Sequence, residues 1–157
     1  MKTLTLILAS AVALLGQTAQ YVAISTQTGV TSDKLTLVQN ANTPVYAEMV
    51  RAVVVSTVDG TVVVQRDGSA PTATATTIKR ANGSAKFSAL SAYAASNVGA
   101  GTAISVVYAV TANVPLVLDM TPSALGKSPS GQNISVVLAT SGAADTQIAL
   151  YWKETPQ

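Results

Sequence analysis

The chain has 157 residues, 48% hydrophobic but only 10% charged, with a net charge of +2. That length fits one domain with a sizeable core, while the charge content falls far below the ~25% of an ordinary globular domain. Neither His nor Cys occurs, which excludes His-based triads, thiol nucleophiles, disulfides and imidazole or thiolate metal sites.

The apolar fraction is largely Ala and Val, and the polar fraction is largely Thr and Ser. A surface so poor in charge is easiest to understand where partner subunits cover much of it. The cations are scattered, and only Lys79 and Arg80 are adjacent, so no basic stripe follows a phosphate backbone and nucleic acid is not an expected partner.

The first segment, Met1–Leu15, supports two readings. Lys2 followed by an apolar run resembles a short secretory signal, although a cut after Ala19 puts bulky Gln17 where a small residue is wanted. Leu4, Leu6 and Leu8 alternating with Thr3, Thr5 and Ile7 argue instead for an uncleaved strand or arm over residues 1–19, and this is the favoured reading. The run falls short of the ~18–20 apolar residues of a membrane-spanning helix, so no membrane partner is expected. Residues 20–157 then form a single β domain.

Tyr21–Ser25 and Leu35–Gln39 are predicted strands, separated by the polar, Gly-containing stretch Thr26–Lys34. Asn40–Pro44 is a turn. Tyr46–Val58 and Thr61–Arg66 flank Asp59-Gly60, the strongest short-range hairpin signal in the chain. A two-residue type I′ turn there places Val58 opposite Thr61 and Val55 opposite Val64, with Val53, Val55, Val62 and Val64 on one greasy face. Asp67–Pro71 is a loop, and Thr72–Thr77 is an edge strand or an exposed extended segment.

Near residues 85–97, Phe87, Leu90, Tyr93 and Ala94 fall at helical spacing among many alanines, the one short helix the sequence offers. Thr102–Thr111, Val114–Met120, Gln132–Thr140 and Thr146–Glu154 complete the strands. In the last, Ile148, Leu150 and Trp152 share one face, and Gln147, Ala149, Tyr151 and Lys153 the other. Asp119–Gly131 is the longest irregular connection. About nine to eleven short strands with turn signals between them imply an all-β, antiparallel β-sandwich or jelly-roll-like fold.

Catalytic chemistry finds little footing. A hydroxyl nucleophile without His needs a base such as Lys, yet S-x-x-K is absent, and Ser123 and Lys127 lie in a Pro-flanked loop where helical spacing does not apply. The carboxylates Asp33, Glu48, Asp59, Asp67, Asp119, Asp145 and Glu154 stand singly rather than as a pair across a groove. Gly99-Ala100-Gly101 lacks the third glycine of a dinucleotide loop, and neither a phosphate-binding loop nor a calcium loop occurs. The sequence therefore points away from an enzyme, with no cofactor and no metal. Asn82-Gly83-Ser84 and Asn133-Ile134-Ser135 match the glycosylation sequon, a short pattern with many chance matches, and Asn133 opens a predicted strand.

Val114–Leu118 running into Thr121–Lys127, then Asn133–Thr140 and a closing Leu150–Glu154, is similar in cadence to the capsid decoration (cement) proteins of tailed bacteriophages. The Thr/Ala/Val-rich, charge-poor composition resembles that family over the whole chain. The resemblance implies a jelly-roll-like sandwich that assembles as a homo-oligomer, commonly a trimer, on the capsid surface of the virion. Its partner would be the major capsid protein, whose neighbouring subunits it clamps. Such a role asks for complementary surface and pairable strand edges rather than catalysis. Thr3, Leu4, Thr5, Leu6 and Leu8 are then the expected interface, an arm added to another subunit. The alternative is an exported bacterial β-sandwich binding module, adhesin- or pilus-like, secreted or periplasmic after cleavage of its leader.

Overall fold

The computed structural model describes residues 21–39, 45–67, 74–80, 88, 90–95, 102–120, 127–128 and 133–156. They form one antiparallel network of eleven strands and, among the described residues, no helix. The strands are β1 (Tyr21–Val38), β2 (Val45–Ser56), β3 (Gly60–Asp67), β4 (Thr74–Thr76), β5 (Ile78–Arg80) and β6 (Ser91–Ala95), then β7 (Thr102–Ala103), β8 (Tyr108–Val110), β9 (Leu116–Asp119), β10 (Lys127–Ser128) and β11 (Asn133–Pro156). The all-β antiparallel expectation holds.

Two long strands organise everything else. β1 and β11 pair from Tyr21 opposite Trp152 to Val38 opposite Asn133, with register breaks between Gln27 and Ser32. Gly29 sits inside that break at φ 65, a left-handed backbone that costs glycine little. Because both strands change direction there, the remaining strands attach at one end or the other. A first wing carries β5 on Tyr21–Ala23 and β2 on Thr146–Pro156, with β9 and β10 beyond β2. A second wing carries β6 on Lys34–Val38 and β3 on Asn133–Thr140, with β4 beyond β6 and β7 and β8 beyond β3.

One apolar cluster draws on both wings: Ala52, Ile148, Leu150 and Trp152 from the first, Leu35, Val62, Val136 and Leu138 from the second. The Trp152 ring is fully buried and stacks on Tyr21, with ring centroids 5.7 Å apart. The alternation expected of the last strand is present, with Ile148, Leu150 and Trp152 in this core and Ala149 and Tyr151 on the reverse side.

The Asp59-Gly60 hairpin does not form. β2 and β3 both pair with β11, at opposite ends of it, so the residues between them cross from one wing to the other. Thr57 and Asp59 are tied to the bend of β11 instead, by Thr57 N–H to the Asp145 carbonyl (3.0 Å) and Ser141 N–H to the Asp59 carbonyl (2.9 Å). Val62 and Val64 consequently enter the shared core, while Val53 and Val55 turn to the reverse face. Gly60 is required for space rather than for a turn: a Cβ there would lie 2.4 Å from the Ala139 carbonyl oxygen.

The helix expected near 85–97 is corrected as well. Ser91–Ala95 is strand β6, pairing with β1 on one side and β4 on the other, while residues 85–87, 89 and 96–97 lie outside the described residues. Alanine's preference for helix is below about 1 kcal/mol per residue, and it yields to an unpaired edge of β1 and burial of Leu90 and Ala92 in the core. Thr26–Lys34 is not a loop between strands, nor is Ser141–Asp145; each is the bent middle of one strand. Both are polar because the corner is largely open to solvent. Conversely, Thr102–Thr111 is not one strand but the two short pieces β7 and β8.

Candidate functional site

The expected interface residues Thr3, Leu4, Thr5, Leu6 and Leu8 lie outside the described residues. Within them, the feature most like a recognition surface is the reverse face of the first wing. Antiparallel pairing sets Ile24 opposite Ala149, Ala149 opposite Val53 and Val53 opposite Val117, a row of apolar side chains across four strands. Its ends are open, Ile24 at 37% and Val117 at 36% exposure, whereas Ala149 and Val53 have no exposed surface. With Val22, Val55 and Tyr151 they make a second apolar cluster, separated from the main core by the sheet itself.

The adjoining row runs Lys79, Val22, Tyr151, Arg51 and Asp119. Arg51 places its guanidinium 4.4 Å from the centre of the Tyr151 ring, a cation–π contact that leaves the group buried. Among the described residues, Nε and Nη1 of Arg51 are buried without an acceptor. Burial pushes the Tyr151 phenol pKa upward, and the charge and hydrogen bond of Arg51 pull it partly back. An arginine at period two among valines, in Met49-Val50-Arg51-Ala52-Val53, is the signal that marks this face in the sequence.

A different apolar feature sits at the β7–β8 side of the second wing. Val106 and Val107, between β7 and β8, are 69% and 65% exposed, and Val114 after β8 is also open. β7 and β8 are short strands that pair, among the described residues, with β3 alone.

The corner between the wings is polar and closely bonded. Asp33 is buried there and accepts from Ser25 Oγ (2.6 Å) and Thr146 Oγ1 (2.9 Å), joining the two ends of the β1 bend to β11. Desolvation raises the Asp33 pKa above 3.8, opposed by those two hydroxyls and the Lys34 N–H. Asp145 accepts from the Gly29 N–H (3.1 Å), and its own N–H donates to Thr57 Oγ1 (2.9 Å). Asp59 Oδ1 accepts from the Ala112 N–H (2.8 Å). A bent ladder leaves backbone groups unpaired, and these side chains restore their partners. The carboxylates of Asp33, Asp59 and Asp145 therefore serve the bend. Sequence reading missed Asp33, because a polar stretch around a glycine looks like a loop.

No three His, Cys, Asp or Glu side chains gather as a metal site among the described residues. Asn133, of the second sequon, is buried between Val38 and Asp67 in paired strands, which leaves no room for a glycan. Comparison with protein-family models, curated proteins and solved structures found no match.

Proposed function

We propose that this chain is a structural virion protein: a capsid decoration (cement) protein that assembles as a trimer and binds the major capsid lattice of a tailed phage. The observation that supports it best is the exposed pair Val106–Val107 at the rim of the second wing, on a chain with only 10% charged residues. Adjacent valines held open beside short edge strands are a surface that a neighbouring subunit would cover. The jelly-roll-like arrangement of the wings and the location on the capsid surface belong to the same proposal, through the resemblance in composition and cadence. Clamping a lattice needs broad complementary contact and no reacting group.

The test is a native mass spectrum of the protein purified from its own source. Trimers of a chain beginning at Met1 are expected. A monomer shortened by about twenty residues would overturn the assignment and favour the exported binding module.

A further inference from the structure

We propose that Asp33 is a proton-operated clasp between the two wings, tightest when its carboxyl carries a proton and loosened when that proton leaves. The clasp stands where the regular ladder is interrupted, since β1 and β11 lose register between Gln27 and Val30 and again between Val30 and Ser32. Asp33 lies at the root of the second wing, directly before the stretch of β1 that carries β6. Ser25 and Thr146, which donate to its two oxygens, lie at the root of the first wing. One carboxyl thus spans the interruption and ties both long strands across it.

Asp33, Ser25 and Thr146 are all buried, and the charged form is supported by neutral donors, namely the two hydroxyls and the Lys34 N–H. Lys34 follows Asp33 in the strand, so its side chain leaves from the opposite face. On β2, the buried Ser56 stands opposite Thr146 and brings no charge. The other charged groups described at the corner, Asp145 and Asp59, are acids, and their carboxylates accept from the Gly29 and Ala112 N–H groups. Neither offers Asp33 a positive charge. A carboxylate buried in this way carries a desolvation cost that protonation removes. The proton need not break the clasp, because a Ser or Thr hydroxyl can accept from a carboxyl O–H as well as donate to a carboxylate. The ionised group is relieved instead when the bend opens and water reaches it. Opening returns the carboxyl to its ordinary 3.8, below its raised folded value. Between those two values opening releases a proton and becomes easier by up to about tenfold per pH unit; above the folded value it changes no further. This clasp does not depend on the virion assignment.

Amide hydrogen exchange of the full chain from about pH 4 to about pH 8, corrected for intrinsic rates, tests the clasp. The N–H groups of Thr57 and Asp145 report the corner, because they bond to the Asp145 carbonyl and to Thr57 Oγ1 rather than to a carboxylate. Those of Val53 and Leu150, in the middle of interior strands, report unfolding of the whole. Corner protection should lie at least about tenfold below mid-wing protection, as local opening requires. It should fall by up to about tenfold per unit as pH rises through the titration of Asp33, then level off. Asp33→Asn should abolish that fall. Ser25→Ala, which removes a donor to the carboxylate, should move the fall to higher pH. A fall that survives in Asp33→Asn would overturn the proposal, because another group would then operate the corner. Corner amides that exchange at the mid-wing rate at every pH would overturn it too, since the bend would then open only with the whole fold. If Asp33→Asn does not fold, Ser25→Ala decides: a shifted fall supports the clasp, and an unshifted one refutes it.

Discussion

Replacing Gly60 by Ala and, separately, by Asn distinguishes two explanations of the Asp59-Gly60 pair. If the pair formed a type I′ turn, Gly60 would hold a left-handed backbone; Ala would cost about 1–2 kcal/mol and Asn, which tolerates that region, would restore most of it. Gly60 instead has an ordinary backbone, since the positive-φ residues described are Gly29 and Asn113. Its constraint is the Ala139 carbonyl oxygen, 2.4 Å from an added Cβ, with Thr140 Cα at 3.1 Å. Both obstacles are main chain, and three bonds hold the neighbourhood: Thr57 N–H to Asp145 O, Ser141 N–H to Asp59 O, and Ala112 N–H to Asp59 Oδ1. The backbone must part by roughly half an ångström to an ångström, an overpacking cost of about 2–3 kcal/mol. For a chain of this size that lowers Tm by roughly 5–10 °C. Asn should cost at least as much as Ala. Urea unfolding followed by Trp152 fluorescence measures both, with Gly142→Ala as a control because its Cβ meets nothing within 4 Å. A Gly60→Asn variant as stable as the wild type would refute the crossing between wings.

Trp152→Ala should destabilise by about 3–5 kcal/mol, the range for emptying a large aromatic site; calorimetry showing under about 1 kcal/mol would mean the Tyr21–Trp152 stack is not the centre of the core. Asp33→Asn keeps the shape of the buried group and removes its titration. Because the folded-state pKa of Asp33 is raised above 3.8, the stability linked to its protonation is complete below 3.8 and fades as pH rises through the folded value. The wild type should therefore gain on the Asn variant as pH falls from neutrality toward that range, and a stability difference that does not change with pH would contradict a buried carboxyl. Val106→Asp with Val107→Asp should leave monomer stability within about 0.5 kcal/mol yet abolish the proposed trimer in a native mass spectrum; trimers that persist would remove this rim from the proposed interface.

The strand content was legible in the sequence because β-branched runs and period-two alternation are local properties. The last strand shows this best: its two faces follow directly from Ile148, Leu150 and Trp152 against Ala149 and Tyr151. Pairing was not legible, because partners are chosen by burial across the whole chain. Val53–Val64 carries a strong local hairpin signal, yet β11 offers each half a longer partner than the other half does. The alanines of Ser91–Ala95 favour helix locally, and an unpaired β1 edge decides otherwise. Of the candidate surface, the arginine among valines was visible as residues but not as a face. Nothing in composition reveals that Arg51 stacks on Tyr151, from the far end of the chain.

The central position of β11 also sets the order in which the molecule can be built. β11 leaves the ribosome after β1 to β10, and it is the partner of β1, β2 and β3 together. Until residues 133–156 emerge, these earlier strands have no central neighbour, and their valine-rich faces and open edges remain unsatisfied. Folding must then close contacts between opposite ends of the chain, Tyr21 with Trp152 among them, which makes it slow relative to a protein of local hairpins. A chain stopped short of Asn133 would present several unpaired, aggregation-prone edges at once.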